Sequence, residues 1–187
     1  MTPAVIIGNG ESRRKFDLRS LENHETYGCN AIWREFVPKN IVSIDPMPIY
    51  ELMSSGNVAA ISSFLPTPYD AQYEPEVANP DRPRNNAGMV AMQKAISHGY
   101  LHLIIIGMDF FIDDPRMADG NMFAGTFGYG ADTKCTYEDT HARWRFMEWF
   151  ARAHPNVLFE FVFPEFYNFR MTTVPNIKVS INATIPI

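Results

Sequence analysis

Ala4-Val5-Ile6-Ile7-Gly8-Asn9-Gly10-Glu11-Ser12 decides the fold. Four apolar residues in a row, stopped by glycine, suit a strand buried on both faces. Such a strand needs helices above and below a parallel sheet. Residues 101–106 repeat the signature and stop at Gly107. Working outward, further strands are predicted at 25–29 (ending at Asn30), 40–44 (ending at Asp45-Pro46), 58–64 and 157–162, with a candidate edge strand in 176–185. Helices are predicted at 12–21, 48–54, 87–97 and 140–153. The third is closed by His98-Gly99 and the fourth is capped by Asp139 or Thr140. Alternating strands and helices predict an α/β fold: a single Rossmann-like domain over 1–187, with a mostly parallel sheet and helices on both faces.

Two stretches resist regular structure. Residues 65–83 hold Pro66, Pro68, Pro75, Pro80 and Pro83, so few backbone donors remain for a helix or ladder. Residues 111–140 carry Gly120, Gly125, Gly128 and Gly130. An irregular segment of that length reads as a short lid loop.

Composition narrows the class. The chain has 187 residues, 46% hydrophobic and 20% charged, which is ordinary globular usage. No apolar run approaches the roughly 18 residues of a spanning helix, and the first residues do not read as a signal peptide. Two cysteines make no disulfide framework, so a reduced, cytoplasmic setting is expected. A net charge of −5 with one short basic run, Arg13-Arg14-Lys15, argues against nucleic acid as partner. Aromatics crowd the second half of the chain and suggest a contact surface and a homo-oligomer.

In parallel sheets ligands bind beyond the carboxyl ends of the strands. Gly8-Asn9-Gly10, with Ser12, follows the first strand and opens a helix. Two glycines permit close approach of a ligand, and exposed amides there can hold an anion. The alternative is a tight turn with Asn9 left-handed. Asn30 and Asp45 end their strands with short polar groups suited to ribose or base edges, or to capping the next segment. Arg84 precedes Asn86-Ala87-Gly88 at a helix start, where a phosphate clamp and a simple Asn cap are both open. Gly107, Asp109 and Phe110 end the second apolar strand. His141, placed in the first turn of its helix, is the candidate general base, because the positive helix end disfavours imidazolium.

These segments, in this order, resemble the small bacterial lipooligosaccharide sialyltransferases of glycosyltransferase family 42. The matching pieces are Val5 to Ser12, Cys29-Asn30, Asp45-Pro46, Arg84 to Gly88, Ala95 to Tyr100, Ile105 to Phe110, and the helix led by His141 running into Phe161-Val162-Phe163-Pro164. The resemblance implies a CMP-sugar donor held by Gly8-Asn9-Gly10, Asn30, Ala87-Gly88 and Asp109. It also implies His141 as base toward a glycan or small-molecule acceptor, no required cofactor or metal, and a lid at 111–140. The family has a tyrosine where this chain has Phe111, and an asparagine where it has Asp45. Tyr129 or Tyr137 stands in for a second lid tyrosine. Two other expectations stay open: a magnesium-dependent transferase resembling the pterin diphosphokinases, using Asp45, Asp109 and Asp113, and a non-catalytic nucleotide- or sugar-binding module.

Overall fold

A computed structural model describes residues 2–67, 86–114, 120–131 and 135–187. Arg84 and most of the proline-rich loop lie outside the described residues. The described residues form one sheet of seven strands, all parallel. These are β1 (Ala4–Ile7), β2 (Glu25–Cys29), β3 (Asn40–Ser43), β4 (Ser63–Pro66), β5 (His102–Ile106), β6 (Leu158–Phe163) and β7 (Ile177–Ile181), in the order β4-β3-β2-β1-β5-β6-β7. Three helices accompany them: α1 (Pro46–Ser55), α2 (Ala87–Ser97) and α3 (Tyr137–Ala153). This is the Rossmann-like α/β fold expected from the two apolar runs.

The pleat explains why β1 is apolar at every position. Ala4 and Ile6 point to one face, where Tyr27, Leu103, Ile105, Phe159 and Phe161 meet Met89 and Met92 of α2 and Phe146 and Phe150 of α3. Val5 and Ile7 point to the other, where Ile41, Ile104, Ile106 and Val162 meet Phe16, Leu18, Leu21, Ile32 and Leu52 of α1. Each large side chain buried this way contributes about 1.5–3 kcal/mol. The crowded aromatics of the second half are therefore mostly core, and few of them, such as Phe166, face outward.

Helix ends follow local chemistry. The Asn86 side chain caps α2 by accepting from the Met89 amide at 3.1 Å, and Gly99 leaves the helix at φ +92°. α3 begins earlier than expected. Thr136 accepts from the Asp139 amide at 3.1 Å, so Thr136 is the cap, not Asp139 or Thr140.

Other expectations need correction. Residues 12–21 form two 3-10 turns, Glu11–Lys15 and Leu18–Leu21, because Asp17 bonds the Arg19 amide and restarts the chain between them. Residues 57–60 make another 3-10 turn, so β4 starts only at Ser63 and takes in Leu65 and Pro66. The lid expected at 111–140 loses both ends. Phe111 is buried in a 3-10 turn, Ile112 bridges Phe169, and residues from Tyr137 onward are helical.

Segments after β1, β2 and β3 cover one face, whereas α2 and α3 cover the other. The winding reverses between β1 and β5, so the ligand crevice of such a fold lies beyond Ile7 and Ile106. There the two strands lie very close, and a Cβ added at Gly8 would overlap the Gly107 carbonyl oxygen. Gly8→Ala is expected to cost about 3 kcal/mol in urea unfolding, as overpacking against backbone does. Gly56→Ala, in open space at φ +78°, is expected to cost only about 1–2 kcal/mol.

Candidate functional site

The Gly8 amide donates to the Ile106 carbonyl and the Gly10 amide to the Gly107 carbonyl, both at 2.9 Å. These bonds carry the β1–β5 ladder past the strands into the loops. Asp109 then closes the turn. Its buried carboxyl accepts from the Ser12 amide at 3.0 Å and from the Ser12 hydroxyl. A Cβ at Gly10 would stand 2.5 Å from the Asp109 carboxyl carbon, and one at Gly88 would strike the Met108 side chain. The glycines thus make room for the protein's own atoms. The chain supplies its own carboxylate to the turn amide where the sequence suggests an incoming anion. Burial pushes the Asp109 carboxyl up to about 6, against its two bonds from Ser12.

A polar row runs from this seam toward β3. The Asn9 side-chain amide donates to the Cys29 carbonyl at 3.0 Å, while its Oδ1 is buried and has no partner among the described residues. The left-handed residue is Asn30, at φ 49°, and not Asn9. Its Oδ1 accepts from the Ile44 amide at 3.0 Å and from Ser43 Oγ at 3.1 Å, and its amide donates to Asp45 Oδ2 at 2.7 Å. Asn30 therefore ties the ends of β2 and β3 and holds Asp45. Asp45 does not cap α1 with its side chain. Burial pushes its carboxyl up, against the Asn30 bond and the charge of Arg143.

Arg13 was hidden in the sequence as one member of a basic run, yet it is 1% exposed. Its Nε donates to the Gly8 carbonyl at 2.7 Å and its Nη1 to Glu35 at 3.0 Å. Its Nη2 is buried and unpartnered among the described residues. Only position marks it, because a cation five residues past Gly8 can reach back to the carbonyl that follows the buried strand.

Residues 120–131 lie down over this row. The Met122 amide donates to the Asn9 carbonyl at 2.9 Å. Phe123 and Tyr129 bury themselves against Ala31. Arg34 fastens the segment: it donates to Thr126 Oγ1 and to the Phe127 carbonyl, both at 2.6 Å, and pairs with Glu51 of α1. Its guanidinium also lies 5.6 Å and 5.8 Å from the Phe123 and Tyr129 ring centres.

His141 sits in the second turn of α3, not the first, so the helix end bears on it less directly than expected. The Arg170 guanidinium lies 3.1 Å from its Nδ1. Arginine can only donate, so Nδ1 accepts and the neutral ring carries its proton on Nε2. Arg170 also meets Asp113 at 3.3 Å and the Tyr137 hydroxyl at 3.4 Å, and Tyr137 donates to Asp113 at 2.5 Å. Tyr129 belongs to the 120–131 segment and Tyr137 to this cluster. Phe110 and Phe111 pack in the core against Phe161.

The structure brings Gly8, Asn9, Gly10, Ser12, Gly107 and Asp109 together at the seam, and joins Asn30 to Asp45. Ala87 and Gly88 start α2 beside Met108. Asp45, Asp109 and Asp113 each have different partners, and the described residues contain no group of three His, Cys, Asp or Glu suited to a metal ion. Nor do they contain a helix long and apolar enough to cross a membrane.

Two expectations follow. Arg34→Ala frees the 120–131 segment, so its amides exchange at least about tenfold faster by hydrogen–deuterium exchange, while global stability falls by no more than about 1–2 kcal/mol. For Asp109 the folded-state value is raised. Its stabilising contribution is thus complete below about pH 4 and is lost as pH rises through about 6. Wild type should therefore lose stability relative to Asp109→Asn between about pH 4 and 7, measured by urea unfolding across that range. No family model, curated protein or solved structure matches this chain.

Proposed function

We propose that this chain is a glycosyltransferase-like enzyme that uses a nucleotide sugar, CMP-activated, at the carboxyl ends of β1, β2 and β3. The observation that carries the reading is a mismatch of buried polar atoms beneath the lid. Asn9 Oδ1, an acceptor, and Arg13 Nη2, a donor, are both sealed from water without partners among the described residues. Leaving such atoms unpaired costs about 1–3 kcal/mol each, and a nucleotide offers complementary donors and acceptors. The position agrees with the switch point of the sheet, and the ordered resemblance to family 42 supplies the donor class.

In this reaction the acceptor hydroxyl oxygen bonds to the anomeric carbon as the bond from that carbon to the CMP phosphate oxygen breaks. CMP leaves with the bonding electron pair, and the acceptor proton passes to His141. The lone pair of the neutral ring is at Nδ1, so Arg170 must release Nδ1 when the acceptor binds. The Arg34-fastened segment closes over the donor and excludes water, which would otherwise consume it.

Thermal shift tests the donor first, with CMP, CDP, UDP, ATP and GTP, each with and without magnesium. A ligand at about 100 times its Kd adds about 2.7 kcal/mol of stability. CMP without metal is expected to stabilise most, and stabilisation by ATP with magnesium alone would replace this reading with the diphosphokinase one. His141→Ala is expected to lower CMP-sugar turnover at least about hundredfold and to leave CMP binding intact. CMP binding with no CMP-sugar turnover in wild type would make the chain a binding module.

A further inference from the structure

Arg170 is an unusual buried cation. Its side chain is 6% exposed, and its known bonds leave from one nitrogen. Nη1 serves Asp113, the Tyr137 hydroxyl and His141 Nδ1. Nε and Nη2 are buried and have no partner among the described residues. Those two nitrogens form the side-on fork of the guanidinium, the edge that receives a carboxylate or phosphoryl group through two parallel bonds. Asp113 does not use that edge.

A third unpartnered donor belongs to the same cluster. The Trp144 ring packs on His141 with centroids 5.3 Å apart, and its Nε1 is buried without a partner among the described residues. Tyr137 backs the guanidinium, with its ring centre 4.6 Å away. All three unsatisfied atoms are donors. A group that only accepts, and carries negative charge, is the chemistry that matches them.

We propose that the molecule bound beside His141 carries an oxyanion, a carboxylate or a phosphoryl group, which sits on the Nε–Nη2 edge of Arg170 and accepts a hydrogen bond from the Trp144 indole N–H. Resting on the transferase reading above, this makes the acceptor an acidic one. Moving the guanidinium onto the oxyanion also draws it off His141 Nδ1, so the acceptor that needs the base releases it. Arg170 is then a binding residue for the acceptor and a positioning residue for His141.

The test uses the full chain labelled with nitrogen-15. Inorganic phosphate and sodium acetate are titrated separately, with sodium chloride at matched ionic strength as control. The Trp144 indole N–H resonance, assigned by Trp144→Phe, is expected to move with saturation in at least one arm and not with chloride. The arm that binds more tightly tells phosphoryl from carboxylate. Arg170→Lys keeps the charge but loses the fork, and should weaken binding about tenfold. Trp144→Phe keeps an aromatic ring and loses one donor; its affinity, read from the backbone amide resonances of His141 and Arg170, should weaken several-fold even if Arg170→Lys does not fold. An unmoved Trp144 resonance in both arms, or unchanged affinity in Trp144→Phe, would overturn the proposal. None of these readouts needs a sugar donor, so absent CMP-sugar turnover would sink the transferase reading without touching the anion result.

Discussion

The seam between β1 and β5 sets where every loop at the carboxyl end of the sheet can go. Two strands that sit side by side send their connections to opposite faces of the sheet, so no helix can cover the gap between their ends. The chain closes that gap with backbone. Gly8 and Gly10 bond to Ile106 and Gly107 at 2.9 Å; a Cβ on Gly8 or Gly107 would meet the other's carbonyl oxygen, and one on Gly10 would meet the Asp109 carboxyl. Asp109 then joins the β5 end to the turn after β1 through Ser12. A charged group serves this purpose at a cost, since burial raises its carboxyl toward about 6. The turn is thereby fixed before any ligand arrives.

Three arginines divide the work around that seam, and burial separates their roles. Arg13 reaches back to the Gly8 carbonyl and is closed in beneath Phe123. Arg34 holds the 120–131 segment down by donating to Thr126 and Phe127 while leaning on Glu51. Arg170 braces His141 and Asp113 at the start of α3. A guanidinium suits each place because it keeps its charge when buried and offers several donors in one plane. Lysine, a point charge on a flexible stem, could not bridge a carbonyl, a hydroxyl and a carboxylate at once.

Periodicity made the sheet legible. Ala4–Ile7, Glu25–Cys29 and Ala87–Ser97 fall where expected, since an apolar run stopped by glycine, or a capped amphipathic stretch, leaves few alternatives. Errors arose where a side chain overrode the pattern. Asp17 broke a predicted helix by bonding the Arg19 amide, and Thr136 started α3 one turn early by capping Asp139. The candidate site was legible only as a set of positions. Gly10 reads as space for a ligand until Asp109, far along the chain, is seen to fill it. Arg13 reads as surface charge until it folds under Phe123, 6.0 Å from its ring centre. Long-range partners are not written in local spacing, so the sequence located the strand ends without revealing which groups were already spent on one another.

What remains unspent is informative because the fold satisfies comparable groups elsewhere. Glu160 on β6 is buried, yet Lys178 and Ser180 donate to one of its oxygens at 2.7 Å and His102 meets the other at 3.0 Å. Burial opposes its charge, but those bonds prevail and hold the carboxyl down at about 2. Asn176 likewise gives its amide to three carbonyls at 2.9 Å, fastening the chain ahead of β7. The same chain leaves Asn9 Oδ1, Arg13 Nη2 and the Arg170 fork open near the carboxyl ends of the strands. Among the described residues His24, Trp33, Gln93 and Tyr129 also hold one unpaired buried atom each, whereas Arg170 holds two on a charged group. Buried polar groups are costly to leave unmet, and two of these three places carry a charge. A fold able to complete the Glu160 network leaves these incomplete, and that contrast is what the proposed ligand site at the carboxyl ends rests on.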